Sequence, residues 1–312
     1  MYVMDTPTLL ITFNRPAYVR QMMAALKIAK VSNLYVFKDG PRPDNIEDYK
    51  ASKEIEEIVS SIDWECSVKT NYMQNNLGCG YGPYSAISWV FQYENELIIL
   101  EDDCIPTSAF FTFCSDMLQR YNDNPKVSVI SGRCQLYDKY AFDGCDYIFT
   151  QYAPTLGWAT WKRVWEGFDI QMRNIKTFMS GEGFSDQFAT KEECVYMNRR
   201  FKRDINDHDL LTHVWDNQFG YYSRMNGSLR ILPAKNLIRY IGLEGTHSGP
   251  GTEKLIDFNV CEDFVALHHP DRIVLKKEYD KAYFNKYING PLTKTDKIFF
   301  AIRNKLGRII SK

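Results

Sequence analysis

Three consecutive carboxylates, Glu101-Asp102-Asp103, follow the apolar run Leu97-Ile98-Ile99-Leu100 and precede Cys104-Ile105-Pro106. A short apolar run closed by a breaker reads as a strand buried on both faces. The acids then fall at its carboxyl end, where open α/β sheets place their ligands. Three like charges in one place are unfavourable unless a cation or a strong donor set neutralises them. A hard divalent cation that also carries phosphate oxygens suits carboxylate ligands. A solvated acidic loop ahead of a helix starting near Thr107 would read the same way.

Alternating elements lead up to that strand. Thr8–Phe13 predicts a strand, and Ala17–Ala29 a helix with Val19, Met22, Met23, Leu26 and Ile28 on its apolar side. Leu34–Phe37 predicts a second strand, ended by the turn residues Lys38-Asp39-Gly40-Pro41. A helix over Tyr49–Ser61, a strand over Cys66–Thr70, the loop Asn75–Gly82 and a helix from about Pro83 to Tyr93 come next. Beyond the acids, a helix over Thr107–Tyr121 and a strand over Val127–Gly132 complete a pattern of βαβ units and a parallel sheet.

After residue 133 aromatics and short runs take over: Tyr147–Thr150, Leu156-Gly157-Trp158, Trp161 and Trp165. A polar helical region over 186–204 leads to Trp215-Asp216-Asn217, then a strand over Leu229–Pro233 and the loop Thr246-His247-Ser248-Gly249-Pro250-Gly251. The division expected is 1–132 as a ligand-binding α/β half, 133–260 as a second half packed on it within one domain, and 261–312 as a C-terminal helical extension. In that extension Ile298, Ile302, Leu306 and Ile309 recur at helical spacing beside Lys297, Arg303, Lys305 and Arg308. This pattern fits an interfacial helix drawn to anionic lipid, and equally a terminal helix docked on its own domain.

Composition excludes several classes. A net charge of -1 over 312 residues argues against nucleic-acid binding. The eight cysteines form no Cys-x-x-Cys pair, so a zinc site has no support, and a disulfide framework is not expected. No run approaches the roughly 20 apolar residues of a membrane span, and Met1–Asp5 leads directly into the first strand without a leader pattern. A reducing cytoplasm is the expected setting, with contact at the inner membrane face through the basic tail left open as the alternative to docking.

The ordered landmarks Ile11-Thr12-Phe13-Asn14-Arg15-Pro16, Asp39-Gly40, Asn76-Leu77-Gly78, Leu100-Glu101-Asp102-Asp103, Phe110-Phe111, Leu156-Gly157-Trp158, Trp215-Asp216 and Thr246-His247-Ser248-Gly249 resemble a GT-A-fold nucleotide-sugar glycosyltransferase. Within that group the chain is most similar to the N-acetylglucosaminyltransferase I clan, whose acidic motif is also Glu-Asp-Asp. The likeness spans roughly residues 6 to 250. It implies a GT-A-like, Rossmann-like, mostly parallel sheet flanked by helices, with a smaller acceptor-side region.

It also implies Mn²⁺ or Mg²⁺, a nucleotide-sugar donor (a UDP-sugar first), and a glycan or lipid-linked acceptor. On the residues that match, Asp103 is the implied metal ligand, and Glu101 and Asp102 face donor sugar and ribose. Arg15 reaches a phosphate, Asp39 accepts from base or ribose, and Trp215 packs on the donor sugar. Asp216 is the implied general base, and His247 lies in a loop closing over the nucleotide. The bland readings are a surface pair for Arg15 and Asp39, a helix cap for Asp216, a plain loop position for His247, and core for Trp158, Trp161 and Trp165. Gly80-Tyr81-Gly82-Pro83-Tyr84 lacks the histidine of the resembled family. Two rival functions stand beside this one. A sugar-phosphate nucleotidyltransferase needs a Gly-rich basic loop where Asn14-Arg15-Pro16-Ala17-Tyr18 stands, and the other rival is a nucleotide-sugar-binding module without chemistry.

Overall fold

The computed structural model describes residues 4–136, 142–207, 209–242 and 259–288. His247 and the basic stretch Asp296–Ile310 lie outside the described residues. In chain order the elements are β1 (Thr8–Thr12), α1 (Pro16–Ala29), β2 (Asn33–Lys38), α2 (Ile46–Ser60), β3 (Ser67–Tyr72), α3 (Gly78–Val90), β4 (Glu96–Glu101), β5 (Cys104–Pro106), α4 (Ser108–Arg120) and β6 (Val127–Ser131). Then follow β7 (Tyr147–Thr150), β8 (Trp158–Trp161), α5 (Lys162–Trp165), α6 (Ile175–Ser180), α7 (Lys191–Ile205), α8 (Leu210–His213), α9 (Asp216–Met225), β9 (Leu229–Pro233), β10 (Ile238–Tyr240) and α10 (Lys277–Tyr283).

An 8-stranded sheet runs β3-β2-β1-β4-β8-β6-β9-β7, and β10 pairs with β5 in a second sheet of two strands. Strands β3, β2, β1 and β4 are mutually parallel; β8 is antiparallel to both β4 and β6, and β7 to β9. The architecture is therefore α/β and Rossmann-like, with β7 and β8 alone running against the other six strands. In β4 the residues Leu97 to Leu100 are at most 1% exposed, as expected for a strand covered on both faces. Thr107 caps α4 by accepting from the Phe110 amide, which turns the chain into a helix immediately after the acids. Pro16 opens α1 at a position where its missing N–H costs nothing.

Ile28, expected on the apolar side of α1, is 74% exposed, and three further features differ from the periodicity reading. Helix α3 starts at Gly78 rather than near Pro83, although Gly and Pro disfavour helix. Gly80, Gly82, Pro83, Ala86, Ile87 and Val90 are buried, so tertiary packing overrides propensity. Strand β8 was hidden because Trp158-Ala159-Thr160-Trp161 is too short to show a period; it docks along β4 from Glu96↔Trp161 to Ile99↔Trp158. Strand β5 has only three residues and exists through its pairing with β10.

Candidate active site

Parallel register is what assembles the site. Ile11 pairs with Glu101 and Thr12 with Lys38, so β1, β2 and β4 end together, and the residues just beyond them meet. These are Asn14-Arg15, Asp39 and Glu101–Asp103. Arg15 lies between β1 and α1, with its guanidinium 5.1 Å from the Tyr18 ring centroid. Asn14 beside it donates to Asp48 Oδ1 at 2.8 Å, and Arg42 donates through Nε to Asp48 Oδ2 at 2.6 Å. The Arg42 bond holds the Asp48 carboxyl down at about 2, with further help from Asn14. This corner is pinned independently of any ligand.

Arg15 does not point away from the acids. Its Nη2 is 2.5 Å from Asp102 Oδ1, and its Nη1 donates to Asp103 Oδ2 at 3.0 Å. The fork of one guanidinium thus spans two neighbouring carboxylates. Asp102 and Asp103 are both buried, at 1% and 7% exposure. Burial pushes the Asp102 carboxyl up to about 7, with Arg15 opposing and Asp103 adding to the rise. Glu101 is pushed up to about 8, first by burial and then by Asp103, Asp102 and Asp216. Glu101 therefore stands within electrostatic reach of both the Arg15 corner and Asp216.

Those shifts have a consequence for stability. A carboxyl raised in the folded state is favourable below its ordinary range near pH 4 and loses that contribution as pH rises through its folded value. Stability in the absence of ligand should fall from about pH 4, the ordinary carboxylate range, to about pH 8, where Asp102 and Glu101 have both ionised in place. Asp280, also raised to about 7 by burial, adds the same sign. Urea unfolding of wild type against Glu101→Gln isolates the site's share; identical pH slopes in the two proteins would exclude it.

Asp39 is already fully engaged. Its Oδ1 accepts from the amides of Gly40 and Leu77 at 2.8 Å each, and its Oδ2 from Gly78 N at 3.0 Å and Asn76 Nδ2 at 3.1 Å. A carboxylate has about four acceptor positions, and the protein fills them. Asp39 thus latches the loop before α3 onto the end of β2. Gly40 allows this closeness: a Cβ there would stand 2.3 Å from the Asn75 carbonyl carbon.

Asp216 is the first residue of α9, and Trp215 is the residue at the N-cap, with no side-chain cap bond. The carboxylate is exposed and accepts only from the Asn217 amide, at 2.9 Å, among the described residues. Asn217 is held in turn by Arg200 at 2.5 Å. Trp215 itself is 5% exposed and stacks on Trp158 at 5.6 Å and 25°, with Trp165 and Phe219 each at 6.0 Å. It is a core residue that anchors the start of α9, and Trp158, Trp161 and Trp165 are core as well. Arg230 of β9 is buried beneath the same helix. Its Nη1 donates to the Ala153 carbonyl at 2.9 Å, and its Nη2 lies 3.4 Å from where a Gly220 Cβ would be, one turn along from Asp216. Burial, chiefly, and then Arg224 lower the Arg230 guanidinium to about 10, while Asp216 opposes them.

Sequence reasoning missed the wall formed by β10. Tyr240 pairs with Cys104, and the amide of Ile241 donates to the Asp103 carbonyl at 2.9 Å. The chain then crosses the acids at Gly242, where a Cβ would come within 2.6 Å of Asp103 Oδ2 and 2.5 Å of Tyr240 Oη. Arg133, fully buried, packs its guanidinium 5.3 Å from the Tyr240 ring centroid. The one sequence signal is Gly242, which directly follows the apolar-rich run Leu237-Ile238-Arg239-Tyr240-Ile241. Nothing local said that this strand lies against the acids.

The donor set is all hard oxygen at its centre, which fits a divalent cation of the Mg²⁺ or Mn²⁺ kind. Among the described residues no group of three or more His, Cys, Asp and Glu side chains is arranged to hold a metal ion. A cation here would have to complete its shell with substrate phosphate and water, as Mg²⁺ commonly does.

No family model and no curated protein matches the chain. Among solved structures it is similar to 4-diphosphocytidyl-2C-methyl-D-erythritol synthase from Anaerococcus prevotii, at 11% identity and TM-score 0.33, over 64% of this chain and 97% of that one. It is also similar to an active-site mutant of LgtC, at 10% identity and TM-score 0.35, over 93% and 99% of the two chains. A third is galactosyltransferase LgtC with donor and acceptor sugar analogues, at 9% identity and TM-score 0.33, over 91% and 97%. Likenesses this remote say nothing of activity, so the functional reading rests on the site.

Proposed function

We propose that this chain is a GT-A-type glycosyltransferase that moves a sugar from a nucleotide-sugar, a UDP-sugar first, to a hydroxyl acceptor with inversion. The observation that carries the reading is the convergence of Arg15, Glu101, Asp102 and Asp103 at the carboxyl ends of parallel strands, with one exposed carboxylate, Asp216, whose charge acts on Glu101. Asp103 is the residue that would hold Mn²⁺ or Mg²⁺, with Asp102 buried behind it against Arg15. When bound, such a cation would supply Lewis-acid neutralisation of the nucleoside diphosphate leaving group.

The protein's own groups divide the remaining work. Asp216 takes the proton of the attacking hydroxyl at its unshared oxygen. A single such base and one displacement give inversion at the anomeric carbon. Glu101, half-buried between the two sides, orients the donor sugar. Asp39 acts through the loop before α3, fixing Leu77 and Gly78 at the donor edge, and Trp215 acts by anchoring α9 rather than by touching sugar. Tyr240 and Gly242 lie against Asp103 on its other side. A lipid-linked acceptor at the inner membrane face fits the basic amphipathic stretch Asp296–Ile310, and no described helix is long and apolar enough to cross a membrane.

The test is a calorimetric titration of UDP-, GDP- and TDP-sugars with and without Mn²⁺. Mn²⁺-dependent binding of one nucleotide series is expected; absent or Mn²⁺-indifferent binding would sink the metal-dependent reading.

A further inference from the structure

One guanidinium, that of Arg15, spans both Asp102 and Asp103. We propose that Arg15 is the resident counter-cation of the ligand-free protein. A divalent cation arriving with a nucleoside diphosphate then displaces it from Asp102 and Asp103 toward the phosphates. The inference rests on the donor reading above and adds an order of events to it.

The geometry gives the reasons. Asp103 Oδ2 is boxed in, with Arg15 Nη1 at 3.0 Å on one side and the backbone of Gly242 on another, where even an added Cβ would come to 2.6 Å. Its other oxygen, Oδ1, is met only by the Cys104 thiol at 3.3 Å, a weak donor. A cation on Oδ1 therefore displaces little directly, but it places two positive charges beside the guanidinium. The acids cannot hold both cations as well as they hold one. Arg15 is the partner able to leave. Its side chain is 28% exposed against 2% and 10% for Asp102 and Asp103, and it lies at the start of α1 beside Tyr18. Its planar fork suits phosphate oxygens as well as carboxylates. A phosphate entering with the metal thus gives Arg15 a new anion as it loses the old ones, whereas metal alone does not.

The expected signature is thermodynamic coupling. Wild type should bind MnCl₂ alone weakly, and Mn²⁺ with UDP far more tightly than either alone. Arg15→Ala should bind Mn²⁺ alone about tenfold or more tightly than wild type, the low end of what a contact cation does to a carboxylate. Its Mn²⁺–UDP coupling should shrink by a similar factor. Arg15→Lys, a point charge that cannot span both acids, should fall between the two and serves if the alanine variant does not fold. Isothermal titrations of Mn²⁺, UDP and both together read all of this without any turnover. A purely structural Arg15 would lower thermal stability and leave Mn²⁺ affinity unchanged or weaker, which overturns the proposal while the donor reading survives. Failure of wild type and variants alike to bind Mn²⁺ even with UDP would overturn both.

Discussion

Asp216→Asn is expected to keep the fold and the affinity for donor while transfer falls by about 10²–10⁴-fold, the range over which a positioned general base contributes. The substitution is nearly isosteric, and the hydrogen bond that the carboxylate accepts from the Asn217 amide can be accepted equally by an amide oxygen. Nothing in the core should respond, because Trp215 rather than Asp216 is packed there. Removing Asp216's charge should also ease ionisation of Glu101, since Asp216 is among the causes of its rise. Steady-state rates together with calorimetric binding of the donor decide the matter. Full turnover in the variant would remove Asp216 from the base role, and loss of donor binding would place it on the donor instead.

Asp103→Asn should produce the opposite division. Mn²⁺-dependent nucleotide binding is expected to disappear, a loss of at least about 100-fold if Asp103 is the protein's principal metal ligand. Stability without ligand should nevertheless change in the favourable direction near pH 8. Asp103 is the largest charge acting on Glu101 and also raises Asp102, so a neutral amide there relieves both. The partial loss of Arg15's partners works against this gain, but Asp102 remains at 2.5 Å to hold the guanidinium. A protein that becomes less pH-sensitive as it loses its ligand is the mark of a site kept under strain for function. Thermal unfolding at pH 6 and pH 8, alongside UDP titrations with and without Mn²⁺, checks both halves. A variant that loses stability at pH 8 yet binds Mn²⁺–UDP normally would mean that Asp103 is a structural acid.

The first half of the fold was legible residue by residue. Apolar runs at Thr8–Thr12, Leu34–Phe37 and Leu97–Leu100 separated by amphipathic helices leave little choice but parallel strands, whose ends must then lie on one edge. The presence of Arg15, Asp39 and the acids on that edge follows from this alone. Their individual duties did not. The sequence shows Asp39 in a turn, but only folding brings Leu77, Gly78 and Asn76 back to saturate it. The sequence shows an aromatic before Asp216, and only the packing of Trp158 and Trp165 turns Trp215 from a candidate sugar platform into an anchor.

For the triplet Glu101-Asp102-Asp103, the sequence by itself determined that three carboxylates end a buried strand at a ligand-binding edge. It could not determine what neutralises them, because that depends on Arg15, far upstream, and on a glycine far downstream. Tertiary structure decided both: parallel register delivers Arg15 to Asp102 and Asp103, and the β5–β10 pairing lays Gly242 over Asp103 Oδ2. Local periodicity reports burial along one segment. Which charges meet is set by contacts between segments, and a buried charge is settled by whichever partner the fold brings within about 3 Å.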